Sequence, residues 1–519
     1  MNYADLFRVT LPETALEIAA LLVLVVDLAF LRKAALKVRV TVAALLGVAG
    51  CGAALWALQF QGQGGLSFAT TGDSILLSTG GFAQIAQTGI LVLTALTLLL
   101  LIDSVFTKHV GEFVAVVLMA ASGGLLVAAA QDLLVIFVGL ELLSLGLYIL
   151  TAFAKTSGKS AEAAIKYYLF GGMSAAFLLF GFSYLYGLSG STNLARVILG
   201  TYLSAANGGT PLLLVALVMI AAGLGFKVAA VPFHLWAPDT YEGAPAPAAA
   251  FIASVSKVAS FALLISISSA ILWFPVTLHM TGHVNVAVIP AGTPVPHMTY
   301  GLRSAWPLIL MALSAASMVL GNLAALSQIS VRRLLAYSAI AHAGYILLAL
   351  AYFSYSPQSA TAVLYYILTY GLTIIGAFSV VSVVERATGS DRLDSFLGLH
   401  KRNPLLAAVL LVLFLSLAGI PPLVGFWAKF NLFAAVLGVS AGPVPFALVA
   451  LAVALSVVSL FYYLQVLKRA YVMPAIDQAP IYVHPVTLAV HLLITVAVVV
   501  LGCFPDLLLR WIESFFHVM

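Results

Sequence analysis

The chain has 519 residues, of which 63% are hydrophobic and only 8% are charged, and its mean hydropathy is +1.13. Soluble proteins carry about 25% charged residues, so this composition excludes an ordinary soluble protein and predicts one built of membrane spans. The formal charge of +5 comes from basic residues scattered over short loops, a pattern that does not indicate a nucleic-acid site.

About fourteen apolar stretches are long enough to cross a bilayer, which takes roughly 20 residues each. We predict an all-α polytopic membrane protein whose first stretch, with Glu13 and Glu17 at its start, is a retained span and not a signal peptide. In chain order the stretches run over 11–31, 40–58, 82–105, 112–130, 133–153, 162–188, 211–233, 245–273, 303–326, 333–353, 359–385, 404–437, 445–467 and 485–505.

The basic residues between these stretches fall unevenly on the two sides of the membrane. Four of them lie on one side, namely Arg8, Arg196, Arg303 and Arg510, whereas fifteen lie on the other. Positive charge marks the cytoplasmic side, so the asymmetry predicts that both termini lie outside. The remaining four of the 23 Lys and Arg residues are Lys166, Lys227, Lys257 and Lys429, which lie within apolar stretches.

Two of the predicted spans contain helix breakers. Pro232 interrupts the seventh span shortly after Lys227, and Gly419, Pro421 and Pro422 interrupt the twelfth shortly before Lys429. Proline removes a backbone donor and clashes with the preceding turn, so a helix kinks or breaks there. The alternative for each is a simple packing kink.

The order of the breaks favours an inverted repeat. Spans four to eight and nine to thirteen form two sets of five, and the broken span is the fourth of each set. Since five is odd, the second set enters the membrane from the opposite side, and broken helices in corresponding positions are typical of ion sites near the midplane. We predict an N-terminal three-helix segment over 1–111, repeats over 112–273 and 303–470, an external loop over 274–302, and a C-terminal helix and tail over 471–519.

Lysines buried in a membrane are costly, at about 2.5 to 3.5 kcal/mol each on insertion scales, and indicate function. Burial disfavours the charged form, so such a lysine can exchange its proton near neutral pH. Glu141, also in an apolar stretch, is the natural partner of Lys227. We predict a lateral proton path with Lys227 and Lys429 as storage sites, Lys257 between them and Glu141 as the switch. The alternative is a static buried pair that fixes helix register.

Three further residues are weaker candidates for the path. His342 in the tenth span and His234 just past Pro232 can shuttle protons, since imidazole titrates near neutral pH, but a structural role is open for each. Lys166 lies near the start of its span, four residues after Glu162. A local ion pair is therefore the alternative to a place on the path.

The sequence gives no support for a cofactor or metal site in this chain. Zinc-protease, nucleotide-binding and paired-cysteine motifs are missing, and the two cysteines, Cys51 and Cys503, are far apart. The external loop contains His279, His283 and His297 without an acidic ligand beside them, which favours a solvated loop over a metal site.

Five segments carry a family resemblance. FKVAAVPFHLWAPDTYEGAPAP, from Phe226 to Pro247, resembles the N-subunit family of proton-translocating NADH:quinone oxidoreductase, respiratory complex I. GLELLSLGLYIL, EAAIKYYLFGGMSAAFLLFG, NLAALSQISVRRLLAYSAIAHAGYILL and SLAGIPPLVGFWAKF are similar to the same family, in the same order between about 139 and 430.

The resemblance implies a fourteen-helix, antiporter-like subunit of the complex's membrane arm. It implies one proton-pumping unit, no redox centre, sister antiporter-like subunits as partners, and a bacterial plasma membrane location. It assigns the key glutamate to Glu141 and the lysines to Lys227, Lys257 and Lys429, and it supports Lys166 and His234 as path residues. Two alternatives stay open: a subunit of a multisubunit cation/proton antiporter, and a structural spacer whose charges are static.

Overall fold

The computed structural model describes residues 3–61, 66–70, 74–104, 106–204, 210–280, 299–353, 357–439, 442–475 and 478–516. These residues are almost entirely helical, which confirms the predicted all-α polytopic fold. Most of the predicted external loop, residues 281–298 with His283 and His297, lies outside the described residues.

The helices follow the predicted stretches closely. They are α1 (Tyr3–Val9), α2 (Leu11–Val25, continued by a π-helical turn at Val26–Phe30), α3 (Leu36–Phe60), α4 (Phe82–Leu101), α5 (Val110–Ala129), α6 (Leu133–Thr151), α7 (Gly158–Ser189), α8 (Leu194–Ser204), α9 (Thr210–Val228), α10 (Trp236–Gly243), α11 (Ala246–Met280), α12 (Thr299–Leu326), α13 (Val331–Ala351), α14 (Pro357–Thr388), α15 (Leu399–Arg402), α16 (Pro404–Ala418), α17 (Val424–Val439), α18 (Pro443–Tyr471), α19 (Pro485–Cys503) and α20 (Asp506–Ser514). A short hairpin, β1 (Ser67–Thr70) and β2 (Ser74–Ser78), joins α3 to α4.

Twelve helices in the described part of the chain are long and apolar enough to span a membrane, and the bent pair of α1 with α2 makes a thirteenth. The bend between that pair is 73°. The predicted twelfth stretch, 404–437, consists of two shorter apolar helices, α16 and α17. In the seventh stretch the helix ends at Val228, four residues before Pro232, and α10 resumes at Trp236.

Both breaks have the same backbone feature. The residue that directly follows α9, Ala229, has φ +57°, and the one that follows α16, Gly419, has φ +88°. Ala229 is the one non-glycine residue with positive φ in the described part of the chain, at a cost of about 1–2 kcal/mol. The positive φ of Gly419 favours glycine, and an added Cβ would lie 3.0 Å from Lys429 Cδ, so the lysine side chain would have to shift.

The core lies around α11, whose whole apolar window is buried inside the protein. Helices α13 and α14 are nearly as enclosed, whereas α7, α18 and α19 present much of their surface outward. Lys257 is carried by α11 and His342 by α13, so these two candidate residues lie at the centre of the bundle.

Candidate functional site

The first break brings Lys227 to Glu141. Lys227 is in the last turn of α9, and its Nζ is 3.8 Å from Glu141 Oε1 and donates to Ser144 Oγ at 2.5 Å. Glu141 and Ser144 are three residues apart on α6, so they share a face of that helix. The Lys227 side chain is 6% exposed and that of Glu141 is 27% exposed. The carboxylate of Glu141 therefore lies near the surface of the protein, and the ammonium of Lys227 lies in its interior.

The second break places a lysine in matching surroundings. Lys429 Nζ donates to Ala418 O at 2.9 Å and to Ser456 Oγ at 2.8 Å, and it lies 5.5 Å from the ring centroid of Tyr345. Ala418 is the last residue of α16, so the ammonium occupies the negative end of a helix dipole. Each break thus holds a buried lysine against a serine hydroxyl.

Lys257 joins the first break from the central helix. Its Nζ donates to the carbonyl of Val228, the last residue of α9 and the neighbour of Lys227. At each break, the helix that precedes it (α9 or α16) is a half-helix whose last carbonyl accepts a hydrogen bond from a buried lysine. Such carbonyl ends are typical cation sites in discontinuous membrane helices.

His342 lies in a cluster of hydroxyl groups beside Lys429. Its Nδ1 is 2.6 Å from Tyr366 OH and its Nε2 is 3.5 Å from Tyr463 OH, which in turn bonds to Ser338. His342 lines a small cavity with Ser416, Gly425 and Ala428, residues of the two half-helices that flank the second break. The centroid of the Tyr370 ring lies 4.9 Å from that of the imidazole, and the Tyr370 hydroxyl has no hydrogen-bond partner among the described residues.

No hydrogen bond within the described residues joins Lys257 to His342. Buried hydroxyls without a partner among the described residues include those of Ser260, one turn after Lys257 on α11, and Tyr241 on α10. Such groups are places where water binds in protein interiors. His234 is buried in the turn between α9 and α10 with Nδ1 unpartnered, and no hydrogen bond links it to the lysine row.

Lys166 is separate from the row. It lies in a charged cluster of six residues at one end of the bundle, where its Nζ is 2.7 Å from both Glu162 Oε1 and Asp239 Oδ2. Arg333 Nη1 bonds to Asp239 at 2.6 Å and to Glu242 at 3.1 Å, and Lys159 bonds to Glu242 at 3.1 Å. The cluster ties α10 to α7 on one side and to α13 on the other. The predicted pair with Glu162 is present, with Asp239 as a second partner.

These contacts change the acidity of the carboxyl groups on α10, which is not one of the spans. Burial opposes ionisation of Asp239, but the hydrogen bonds from Lys166 and Arg333 outweigh it and lower its pKa. Burial likewise opposes ionisation of Glu242, and the bonds from Lys159 and Arg333 lower its pKa. The stability that these pairs give is present above the ordinary carboxyl range and is lost as the pH falls through the lowered values.

We expect Arg333→Gln to make the assembled protein more sensitive to acid. Partly exposed pairs contribute roughly 0.5–1 kcal/mol, and about 1.36 kcal/mol corresponds to one pKa unit. The midpoint of acid-induced loss of assembly should therefore rise by about half a pH unit. It is measured as the fraction of intact complex against pH. Lys155→Gln, at an exposed lysine near the start of α7, is the control, and equal midpoints for the two variants would contradict a stabilising role of the cluster.

Sequence reasoning missed Ser144, Ser456 and the tyrosines around His342. The spacing of Ser144 from Glu141 was an available signal, whereas Ser456 and Tyr463 reach the site from α18, far along the chain. Within the described residues, no group of three or more His, Cys, Asp or Glu side chains could hold a metal ion.

The comparisons with known proteins agree with this architecture. The family model described as "NADH:quinone oxidoreductase/Mrp antiporter, TM" matches residues 130–288 and 273–459. Fold, broken helices and family model together define an antiporter-like membrane subunit. A relative, NADH-quinone oxidoreductase subunit N 2 of Acidobacterium capsulatum, is 47% identical and the match covers 99% of each chain. The chain belongs to the subunit N family of NADH-quinone oxidoreductase.

Solved structures give the same fold. A chain of respiratory complex I from Thermus thermophilus, solved with bound aureothin, is 33% identical with a TM-score of 0.74, and the match covers 96% of this chain and 98% of that one. A chain of the Mrp complex from Dietzia sp. is 21% identical with a TM-score of 0.76, covering 97% and 96%. The second likeness is evidence for the fold alone.

Proposed function

We propose that this chain translocates protons through the row of Glu141, Lys227, Lys257 and Lys429, as a membrane-arm subunit of NADH:quinone oxidoreductase. One observation carries the proposal: at each of two helix breaks, the terminal carbonyl of a half-helix is bonded to a buried lysine. A helix end of this kind stabilises a positive charge inside the membrane without a counter-ion. The lysines can therefore gain and lose protons without the protein unfolding around them.

Glu141 is the switch of the row. A carboxylate at about 4 Å stabilises an ammonium by about 4 kcal/mol at an effective dielectric near 20. Moving the partly exposed Glu141 away from Lys227 removes most of this stabilisation, so the lysine releases its proton to the next site. Energy from quinone reduction elsewhere in the complex drives the movement.

His342 is the relay between Lys257 and Lys429. It shares its cavity with residues beside Lys429, and the unpartnered hydroxyls of Ser260, Tyr241 and Tyr370 are places for water on the way from Lys257. His234, with its free Nδ1, is a relay near the first break. Lys166 belongs to the proton entry side, where its cluster meets the water-exposed end of α10.

The two sets of five helices form an inverted repeat over 112–273 and 303–470. Its support is the matching pair of breaks and the two successive segments that the family model matches. The partners are other membrane-arm subunits, including sister antiporter-like subunits, and the lipid bilayer. The chain lies in the bacterial plasma membrane with both termini on the periplasmic side, and it holds no redox centre of its own.

Lys257→Met tests the row against a purely structural role. Methionine keeps most of the volume but cannot carry a proton, so we expect proton transport by the reconstituted complex to fall by at least half. Transport is measured with a pH dye in liposomes during NADH oxidation, and assembly on native gels. Unchanged transport in a fully assembled variant would favour the spacer alternative.

A cation/proton antiporter is the second candidate, since the description of the family model covers both classes. The liposome measurement separates the two when sodium is replaced by choline. Proton transport that is independent of sodium supports the proposal. Sodium movement that requires Lys227 would favour the antiporter.

A further inference from the structure

Among the N-terminal helices, outside both repeats, four buried oxygen atoms have no hydrogen-bond partner in the described part of the chain. They are Oε2 of Glu13 and Oε1 of Gln61, Gln84 and Gln87. All four side chains are at least nine-tenths buried. Buried acceptors without donors are rare in proteins and indicate a ligand or water that supplies hydrogen atoms.

Each glutamine amide is anchored through its nitrogen. Gln61 Nε2 donates to Val9 O at 3.0 Å, Gln84 Nε2 to Leu58 O at 3.2 Å, and Gln87 Nε2 to Leu125 O at 3.2 Å. Gln87 Nε2 also lies 3.4 Å from Glu13 Oε1. The amide oxygens are therefore the groups left without a donor among the described residues.

The four residues lie close to one another along the neighbouring ends of α2, α3 and α4. Gln61 caps α3 next to the bend between α1 and α2, and Gln84 bonds one turn further into α3, at Leu58. Gln87 is one turn beyond Gln84 on α4 and reaches Glu13. Glu17 lies one turn after Glu13 on α2 and accepts a hydrogen bond from Ser122 Oγ at 3.3 Å. These residues thus extend from the bend between α1 and α2 to the buried carboxyl group of Glu13.

Glu13 has no cationic partner in the described part of the chain. The titratable group nearest to Glu13 along α2 is Glu17, one turn away. The elements packed around α2 contribute Tyr3, Asp5 and Arg8 of α1, Asp27 of the π-helical turn, Lys37, Arg39 and Cys51 of α3, and Glu112 of α5, while α4 has none. Asp27 pairs with Arg39, and Glu112 pairs with His109. A buried carboxyl without a cation is stable only when it holds a proton or binds a cation.

We propose that Glu13 is a proton-binding site distinct from the lysine row, reached from the end of the bundle where α1 meets α2. A protonated carboxyl supplies one of the missing hydrogen atoms, and water between the glutamine oxygens supplies the rest. The amide N–H of Gln87 is directed at the carboxyl and would repel a metal cation, which favours a proton over sodium as the ligand.

Carbodiimide labelling of the intact purified complex tests the site, because the reagent couples to protonated carboxyl groups in apolar surroundings. Modified peptides are quantified by mass spectrometry over a range of pH. We expect a label on Glu13 that is strongest at low pH, declines as the pH rises and is unaffected when sodium replaces choline. Glu13→Gln should abolish this label.

Two variants should shift the midpoint of the labelling in opposite directions. Gln87→Leu removes a donor to the ionised carboxylate, so the label should persist to higher pH. Glu17→Gln removes a neighbouring negative charge, so the label should decline at lower pH. A label that is absent at every pH, independent of pH or blocked by sodium would overturn the proposal. Proton pumping through the lysine row is measured separately and does not depend on this outcome.

Discussion

Replacing Lys429 with alanine should abolish or greatly reduce proton pumping while the complex still assembles. The lysine is bonded to Ala418 O and Ser456 Oγ, and no carboxylate within the described residues lies within ion-pair distance of it. Its removal therefore leaves no unpaired buried charge, which is the usual cause of severe destabilisation. The row, however, loses its last site. Pumping is measured in liposomes as proton movement per NADH oxidised.

Three further variants test this prediction. Lys429→Met fills the space that alanine leaves, so it should lose pumping to the same degree with better assembly. Lys401→Ala, at an exposed lysine outside the membrane core, should pump normally. Lys227→Ala is expected to match Lys429→Ala. If pumping survives in both Lys227→Ala and Lys429→Ala, the row is not the proton path.

Glu141→Gln should produce the second-largest loss. Glutamine keeps the size of the side chain but removes the charge that stabilises the Lys227 ammonium by about 4 kcal/mol at this range. Without that charge the first site cannot hold a proton through the cycle, so pumping should fall several-fold in the same assay.

Glu162→Gln is a matched control for this variant, since Glu162 also pairs with a lysine, at 2.7 Å from Lys166. That pair is exposed, and Lys166 keeps Asp239 as a second partner at 2.7 Å, so the loss of Glu162's charge should change pumping little. Equal losses for the two glutamine variants would mean that removal of any such charge disturbs the protein, and the switch role of Glu141 would fail.

The sequence predicts the spans and both breaks because these depend on local chemistry. Apolar length sets each span, and Pro232, Gly419, Pro421 and Pro422 cannot continue a helix. The pair of Lys227 with Glu141 was also predictable, since two opposite charges in apolar stretches must meet or remain unpaired.

Contacts between distant segments could not be predicted in this way. Nothing in the local sequence of α18 indicates that Ser456 meets Lys429, or that Arg333 of α13 meets Asp239 of α10. The left-handed Ala229 is equally unexpected, because an alanine adopts that conformation only where the surrounding structure compensates for its cost. These features depend on how the helices pack, which one sequence does not specify.

The carboxylate at only one end gives the lysine row a direction. Lys227 has Glu141 at 3.8 Å, whereas Lys257 and Lys429 have backbone carbonyls and a serine hydroxyl. A positive charge is thus stabilised more strongly at the Lys227 end of the row than at the Lys429 end, so the free energy of the charge differs along the row. Transfer from Lys227 towards Lys429 is uphill while Glu141 stays in place. One partly exposed side chain at the edge of the subunit therefore determines when charge can flow and which way.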